Sequence, residues 1–263
     1  KNYKTANYVP INSNMDNLEE IVEWLNKHPK ISKTIAKNAQ LLGERLFTLE
    51  TVTNTFTNIF KNIGGLCSND QIVYNNYGII LYKRGDLAQS SYFLKKALDL
   101  KGDYVEAYNN LGNTLKKLNK KNEALKQYYK CLSIRPNYPD AHNNIAVILQ
   151  ENKHYDKAIS HLKKAVIYKP DYFEAYNNLG DLQKEQGKFK DAINSFKKAL
   201  SINPNSTIAN NNLGNVFYEL GNLETAISYF KLALSINPNF VVALNNLGNT
   251  LKKQNNLVEA IQC

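Results

Sequence analysis

The sequence predicts an all-α fold, a solenoid of helix pairs. Three observations carry that expectation. Asn-Asn pairs fall at 75–76, 109–110, 143–144, 177–178, 211–212 and 245–246, each 34 residues after the last. Two residues past each pair stands a small residue: Gly78, Gly112, Ala146, Gly180, Gly214 and Gly248. A proline closes four of the copies, at Pro136, Pro170, Pro204 and Pro238. A fixed period of this length marks a repeat architecture whose units bury their apolar faces only by stacking on one another.

Composition agrees with a folded chain. Of 263 residues, 43% are hydrophobic and 21% charged, with a formal net charge of +10, which is ordinary for a globular protein and excludes wholesale disorder. No apolar run approaches the roughly 18 residues that a membrane helix needs. Asn occurs 39 times, and all but three of the 33 basic residues are Lys, the exceptions being Arg45, Arg84 and Arg135. Cys67, Cys131 and Cys263 are odd in number and far apart. They form no CxxC and no Cys/His cluster, so neither a disulfide framework nor a zinc site is expected, and all three thiols are expected to be unbridged.

Residues 1–70 lack the repeat. Tyr8, Val9 and Ile11 around Pro10 read as a short extended segment, followed by three amphipathic helical stretches. The first carries Leu18, Ile21, Val22 and Leu25 behind Asp16. The second opens at Pro29 with Ile31, Ile35 and Leu42, and the third at Thr48 with Val52, Phe56 and Ile59, closed by Gly64 and Gly65. A lone strand has no pairing partner, so residues 1–66 read as the tail of a larger domain expected upstream. Residues 67–70 read as a linker. This segment is expected to cap the first repeat and to leave an apolar surface uncovered.

The repeats fill residues 71–263 as five full copies and one partial copy. In the copy 173–206, Ala175, Tyr176, Leu179 and Leu182 recur at helical spacing, and Gly187 ends that helix. Ala192, Ile193, Phe196, Ala199 and Leu200 mark a second amphipathic helix, which Pro204 stops. Columns of small residues at Ala124, Ala158, Ala192 and Ala226, with Ser90 in the first copy, let the helix backbones approach to about 8–10 Å. A second column is Ala97, Cys131, Ala165, Ala199 and Ala233. Tyr128, Phe196 and Phe230 can fill the space left. Asn69, Asp103, Asn137, Asp171, Asn205 and Asn239 precede the first helices and are expected to cap them. An acid three residues on in three copies (Glu106, Asp140, Glu174) suggests a capping box.

The 34-residue period, the Leu-Gly pair, the mid-repeat Gly, the Ala columns and the closing Pro closely resemble the tetratricopeptide repeat. The resemblance implies a right-handed superhelix whose first helices line a concave face. The first copy fits least, with Ser90 in place of Ala and Gly102 in place of Pro.

The second Asn of each pair is Asn76, Asn110, Asn144, Asn178, Asn212 or Asn246. This column resembles the Asn ladder of O-GlcNAc transferase repeats, and the resemblance implies that it holds a peptide by its main chain. A carboxamide offers donors and an acceptor, as a peptide unit does, so a row of them grips extended chain with little sequence preference. The other reading is inherited repeat sequence without a ligand. The first Asn of each pair reads as a solvated or capping residue. A carboxylate clamp is not expected, since the second Asn occupies the places where such clamps carry Lys or Arg, and Glu106, Asp140 and Glu174 lie nearby. Charge falls along the array: 12 basic against 5 acidic residues in 71–138, 10 against 8 in 139–206, and 3 against 3 in 207–263. The scarcity of Arg argues against nucleic acid as a partner, and the lysines read as a solvated face.

Residues 7–52, NYVPINSNMDNLEEIVEWLNKHPKISKTIAKNAQLLGERLFTLETV, resemble the C-terminal end of capsule-associated, protein O-glucosyltransferase-like glycosyltransferases. That implies a truncated α/β transferase domain ahead of the repeats. No catalytic residue is carried over. His28, His142, His154 and His161 lack metal-ligand spacing, and His142 and Trp24 read as packing residues. The expected function is therefore a protein- or peptide-binding repeat module, with no metal and no cofactor, recruiting substrate for an attached glycosyltransferase. The alternatives are a full-length polypeptide that is itself the transferase, and a purely structural scaffold. A cytoplasmic location is expected, since the odd, scattered cysteines fit a reducing compartment.

Overall fold

The computed structural model describes residues 70–261. The extended segment and three helices expected within 1–70, the cap at Asn69, and Cys67 and Cys263 lie outside the described residues. The chain divides into two compact units, 1–73 and 74–263, and the second is the helical array.

The described residues form twelve helices: α1 (Asp70–Arg84), α2 (Leu87–Leu100), α3 (Val105–Lys117), α4 (Lys121–Ile134), α5 (Pro139–Glu151), α6 (Tyr155–Tyr168), α7 (Phe173–Glu185), α8 (Phe189–Ile202), α9 (Thr207–Glu219), α10 (Leu223–Ile236), α11 (Val241–Lys253) and α12 (Leu257–Ile261). Odd-numbered helices are the first of each repeat and even-numbered helices the second.

Each pair turns at one left-handed residue. Its φ is +88° at Gly85, +62° at Asn119, +61° at Lys153, +70° at Gly187, +75° at Gly221 and +67° at Asn255. These residues are again 34 apart. Glycine takes this conformation without a Cβ penalty, Asn tolerates it, and Lys153 holds it at a cost of about 1–2 kcal/mol.

The small columns work as expected. Ala124, Ala158, Ala192 and Ala226 are fully buried, as are Ala97, Cys131, Ala165, Ala199 and Ala233. A Cβ added at Gly112 would stand 2.4 Å from Tyr128, at Gly180 2.7 Å from Phe196 and at Gly214 2.4 Å from Phe230. The aromatic knobs therefore fill the volume that the glycines vacate, and all three rings are buried. In the first repeat Ser90 replaces Ala without loss, because its hydroxyl donates to the Gly78 carbonyl at 2.8 Å and lies 3.0 Å from Thr114 Oγ1. Cys131 is free, and burial pushes its thiol pKa up to about 12.

Contacts run between neighbours only, and the core breaks into three clusters along the array. Helix α3 touches α5, α5 touches α7, α7 touches α9 and α9 touches α11, whereas no second helix meets another second helix among the described residues. First helices that touch and second helices that splay bend the array towards the first-helix side.

The capping expectation fails for all five first helices that can be compared. The N-cap residues are Tyr104, Tyr138, Tyr172, Ser206 and Phe240, one position later than expected, and only Ser206 caps with its side chain, accepting from Ala209 N at 3.2 Å. The turns are held another way. Lys101 lies 5.6 Å over the Tyr104 ring, Arg135 5.5 Å over Tyr138 and Lys169 4.5 Å over Tyr172. These cation–π contacts clamp the end of one repeat to the start of the next. Two of the acids expected in capping boxes are used differently: Glu106 pairs with Arg135, which follows the second helix of the same repeat, at 2.9 Å, and Asp140 accepts at 2.7 Å from the hydroxyl of Tyr172, which precedes α7.

Candidate functional site

The paired asparagines form a relay between repeats. Nδ2 of each second Asn donates to Oδ1 of the first Asn one repeat earlier: Asn110 to Asn75 at 2.9 Å, Asn144 to Asn109 at 3.2 Å, Asn178 to Asn143 at 2.9 Å, Asn212 to Asn177 at 3.2 Å and Asn246 to Asn211 at 2.9 Å. The expectation that the first Asn is solvated or a cap is corrected. Asn75, Asn109, Asn143 and Asn211 are buried acceptors, Asn177 is half-buried, and only Asn245 is exposed. A buried carboxamide needs partners, and here its partner comes from the following repeat. The doubled Asn in the sequence was the signal for this, one residue donating backwards along the array and the other accepting from ahead.

The second asparagines are half-buried, apart from the more enclosed Asn212. Asn212 also donates to Asp181 Oδ2 at 3.4 Å, and Asn76 accepts from Asn75 at 3.3 Å. Oδ1 of Asn110, Asn144, Asn178 and Asn246 accepts no hydrogen bond from the described residues. Each amide is thus pinned through one N–H and keeps an acceptor and a second N–H.

Between α9, α10 and α11 lies a cleft of about 460 Å³. Asn215, Tyr218, Asn246, Asn249 and Lys253 line it, with Phe230 beneath. Lys253 Nζ sits 4.3 Å over the Tyr218 ring, and Lys117 takes the same position over Tyr82 at 4.8 Å near the other end of the array.

His142 is buried as expected of a packing residue, but it has a polar partner that sequence reasoning missed. Its Nε2 lies 2.9 Å from the Pro136 carbonyl, and its Nδ1 lies 2.9 Å from His161 Nδ1. A carbonyl only accepts, so Nε2 carries the proton, Nδ1 is bare, and His161 donates to it. Burial lowers both pKa values, and the neighbouring His142 and Lys164 help hold His161 down, to about 4. The two histidines stand 19 residues apart on different helices, a spacing that no motif marks. Among the described residues no group of three His, Cys, Asp or Glu side chains could hold a metal ion.

Family models described as tetratricopeptide or TPR repeat match residues 78–119, 151–187 and 180–221, then 105–138 and 208–240, then 128–160 and 229–262. Together they run without a gap. Residues 78–262 are tetratricopeptide repeats. The array is similar to solved structures of the same kind. One is YrrB, described as a TPR protein with an unusual peptide-binding site, at 24% identity and a TM-score of 0.56, covering 70% of this chain and 95% of that one. PilF of Pseudomonas aeruginosa matches at 21% and 0.65, covering 72% and 88%. MamA of Desulfovibrio magneticus RS-1 matches at 21% and 0.58, covering 66% and 98%. No curated protein matches the chain in sequence. The tetratricopeptide assignment gives the chain the character of a protein-binding scaffold, since such repeats bind protein partners or peptides. No family match falls on residues 1–70. Among the described residues no helix is long and apolar enough to cross a membrane.

Proposed function

We propose that the repeats bind an extended polypeptide segment on the first-helix face, gripping its main chain through Asn76, Asn110, Asn144, Asn178, Asn212 and Asn246. The observation that carries this reading is the relay, which pins every second Asn after Asn76 and leaves an acceptor and an N–H on Asn110, Asn144, Asn178 and Asn246. A carboxamide pinned by one hydrogen bond to the neighbouring repeat has lost its rotational freedom before any ligand arrives, so less entropy is lost on binding. What it still offers, one acceptor and one donor, is the complement of a peptide unit. First helices about 8–10 Å apart, set against an extended chain that rises about 3.3 Å per residue, bring one carboxamide to about every third peptide residue. Each bond contributes about 0.5–1.5 kcal/mol net, so affinity accumulates along the column and no single Asn dominates.

The same relay also supports a scaffold reading, in which the asparagines serve only to join repeats. One experiment separates the two. The tightest binder from a random twelve-residue peptide library is titrated against wild type, Asn144→Ala, Asn144→Ala/Asn178→Ala, and the triple variant with Asn212→Ala. Asn143→Ala serves as a control that breaks a relay bond and leaves Asn144 and Asn178 in place. Stepwise loss along the series, with a smaller loss for the control, is expected. Unchanged affinity in the triple variant removes the column from binding.

Recruitment of substrate for an attached glycosyltransferase rests on the resemblance of residues 7–52 alone. Its test is whether the polypeptide that contains this chain transfers sugar to a peptide captured by the repeats.

A further inference from the structure

The second-Asn column is constant, but the residues that share its helix face are not. Offsets of −4, +3 and +7 from each second Asn are close to whole helical turns. At offset −4, α3, α5 and α7 carry Glu106, Asp140 and Glu174, whereas α9 and α11 carry Ile208 and Val242. The two apolar side chains are 54% and 51% exposed, although a row of carboxylates precedes them in the same column. At the other offsets α5 adds Glu151, α7 adds Asp181 and Glu185, and α9 adds the exposed Glu219, while α3 and α11 carry Lys117 and Lys253 at +7. Glu151 is paired with Lys121 at 3.0 Å and Asp181 with Lys184 at 3.5 Å. Asp140, Glu174 and Glu185 form no ion pair among the described residues. This acidic stretch belongs to a chain of net charge +10 whose lysines crowd the exposed sides of the second helices, as at Lys95, Lys96, Lys163, Lys164, Lys197 and Lys198. The −4 column therefore changes along its length from acidic to apolar, acids outnumber lysines on the face of α5 and α7, and the cleft beside Tyr218 opens at the apolar end of the column.

We infer that this face selects an extended segment bearing Lys or Arg side chains over α5 and α7 and apolar side chains over α9 and α11. The inference rests on the peptide reading above and adds what the partner is. A basic segment is repelled by the lysine-covered outside and drawn to the first-helix face, so charge sets both where it lands and in which register. The acidic and apolar stretches are centred about two repeats apart. At about 8–10 Å per repeat this corresponds to about five to six residues of extended chain between basic and apolar side chains.

The test uses fluorescein-labelled twelve-residue peptides read by anisotropy. One half alternates Lys with Thr and the other Val with Thr, in both orders. Companion peptides carry Glu in place of Lys, or Thr alone in that half. The Lys peptide in one of the two orders should bind about tenfold tighter than its Glu counterpart, and added salt should shrink that gap. Glu174→Gln/Asp181→Asn should close the gap and leave the Thr/Val peptide unaffected. Ile208→Ser/Val242→Ser should weaken every Val-containing peptide and keep the gap. Far-UV circular dichroism confirms that each variant keeps its helices. If Lys and Glu peptides bind equally and both lose affinity in Asn144→Ala/Asn178→Ala, the main-chain grip stands and this inference falls. If no peptide binds, the peptide reading falls and takes this one with it.

Discussion

In the fourth repeat Gly180 lies under the ring of Phe196, whereas in the third the same two places hold Ala146 and Leu162. The second and fifth repeats follow the fourth, with Gly112 under Tyr128 and Gly214 under Phe230. The third repeat has moved a methyl group from one helix to the other and reduced the knob to match, and both its residues remain buried. It differs elsewhere too. Its turn places Lys153 at φ +61° where the fourth uses Gly187 at +70°, and its first helix carries His142, bonded to His161, where the fourth carries Tyr176. The repeat backbone thus fixes summed volume and turn conformation and leaves open which residues supply them, as cores tolerate volume-conserving exchange.

The largest effect should come from breaking the Gly–aromatic pairing. Gly180→Ala forces a methyl against the Phe196 ring and should destabilise the protein by about 1–3 kcal/mol in urea unfolding. Adding Phe196→Leu recreates the pairing of the third repeat and should recover part of that loss. The converse change, Leu162→Phe beneath Ala146, should destabilise by a similar amount. If Gly180→Ala and Gly180→Ala/Phe196→Leu unfold at the same urea concentration, volume matching is not what couples the two helices.

The second effect belongs to the histidine pair. His161 is a base whose pKa lies below its unfolded value of about 6.5, at about 4 in the fold. Between these values the unfolded chain binds more protons than the native one, so stability should fall as pH drops from about 6.5 to about 4. Asp181, with its pKa raised, acts in the opposite direction. Thermal melts of His161→Gln should show a flatter dependence than wild type in that window. An unchanged slope would take the pair out of the acid response.

A smaller gain is expected at the third turn. Lys153→Gly should raise stability by about 1 kcal/mol, because relief of the left-handed strain exceeds the extra entropy that glycine loses on folding. Gly187→Lys should cost the fourth repeat a similar amount. Opposite signs for the two variants are the expected outcome, and equal signs would mean that the two turns are not equivalent.

The period made the fold legible in the sequence. Helix pairs, turns and buried small columns all recur every 34 residues, and each places an apolar face that only a neighbouring repeat can cover. The caps were not legible in the same way. Asp103, Asn137 and Asp171 have the chemistry of N-caps, but their turns are closed one residue later, by Tyr104, Tyr138 and Tyr172 stacked under cations from the preceding helix. That contact joins residues three apart. Its signature, a cation three places before a Tyr in Lys101-Gly-Asp-Tyr104, Arg135-Pro-Asn-Tyr138 and Lys169-Pro-Asp-Tyr172, stood in the sequence beside the more familiar cap residues. The candidate site was half legible. The recurrence of Asn110, Asn144 and Asn178 marked them out, but their partners Asn75, Asn109 and Asn143, 35 residues earlier, emerge only when the repeats are stacked.

The central claim is that the relay pins Asn110, Asn144, Asn178 and Asn246 and presents the remaining donor and acceptor of each to a ligand. Side-chain amide resonances of ¹⁵N-labelled protein test this directly, followed while the library-selected peptide is added. The account predicts that the amides of Asn110, Asn144, Asn178 and Asn246 shift together on titration, while those of Asn75, Asn109, Asn143 and Asn211 move little. Peptide binding that shifts the first asparagines, or leaves the second ones still, would contradict it.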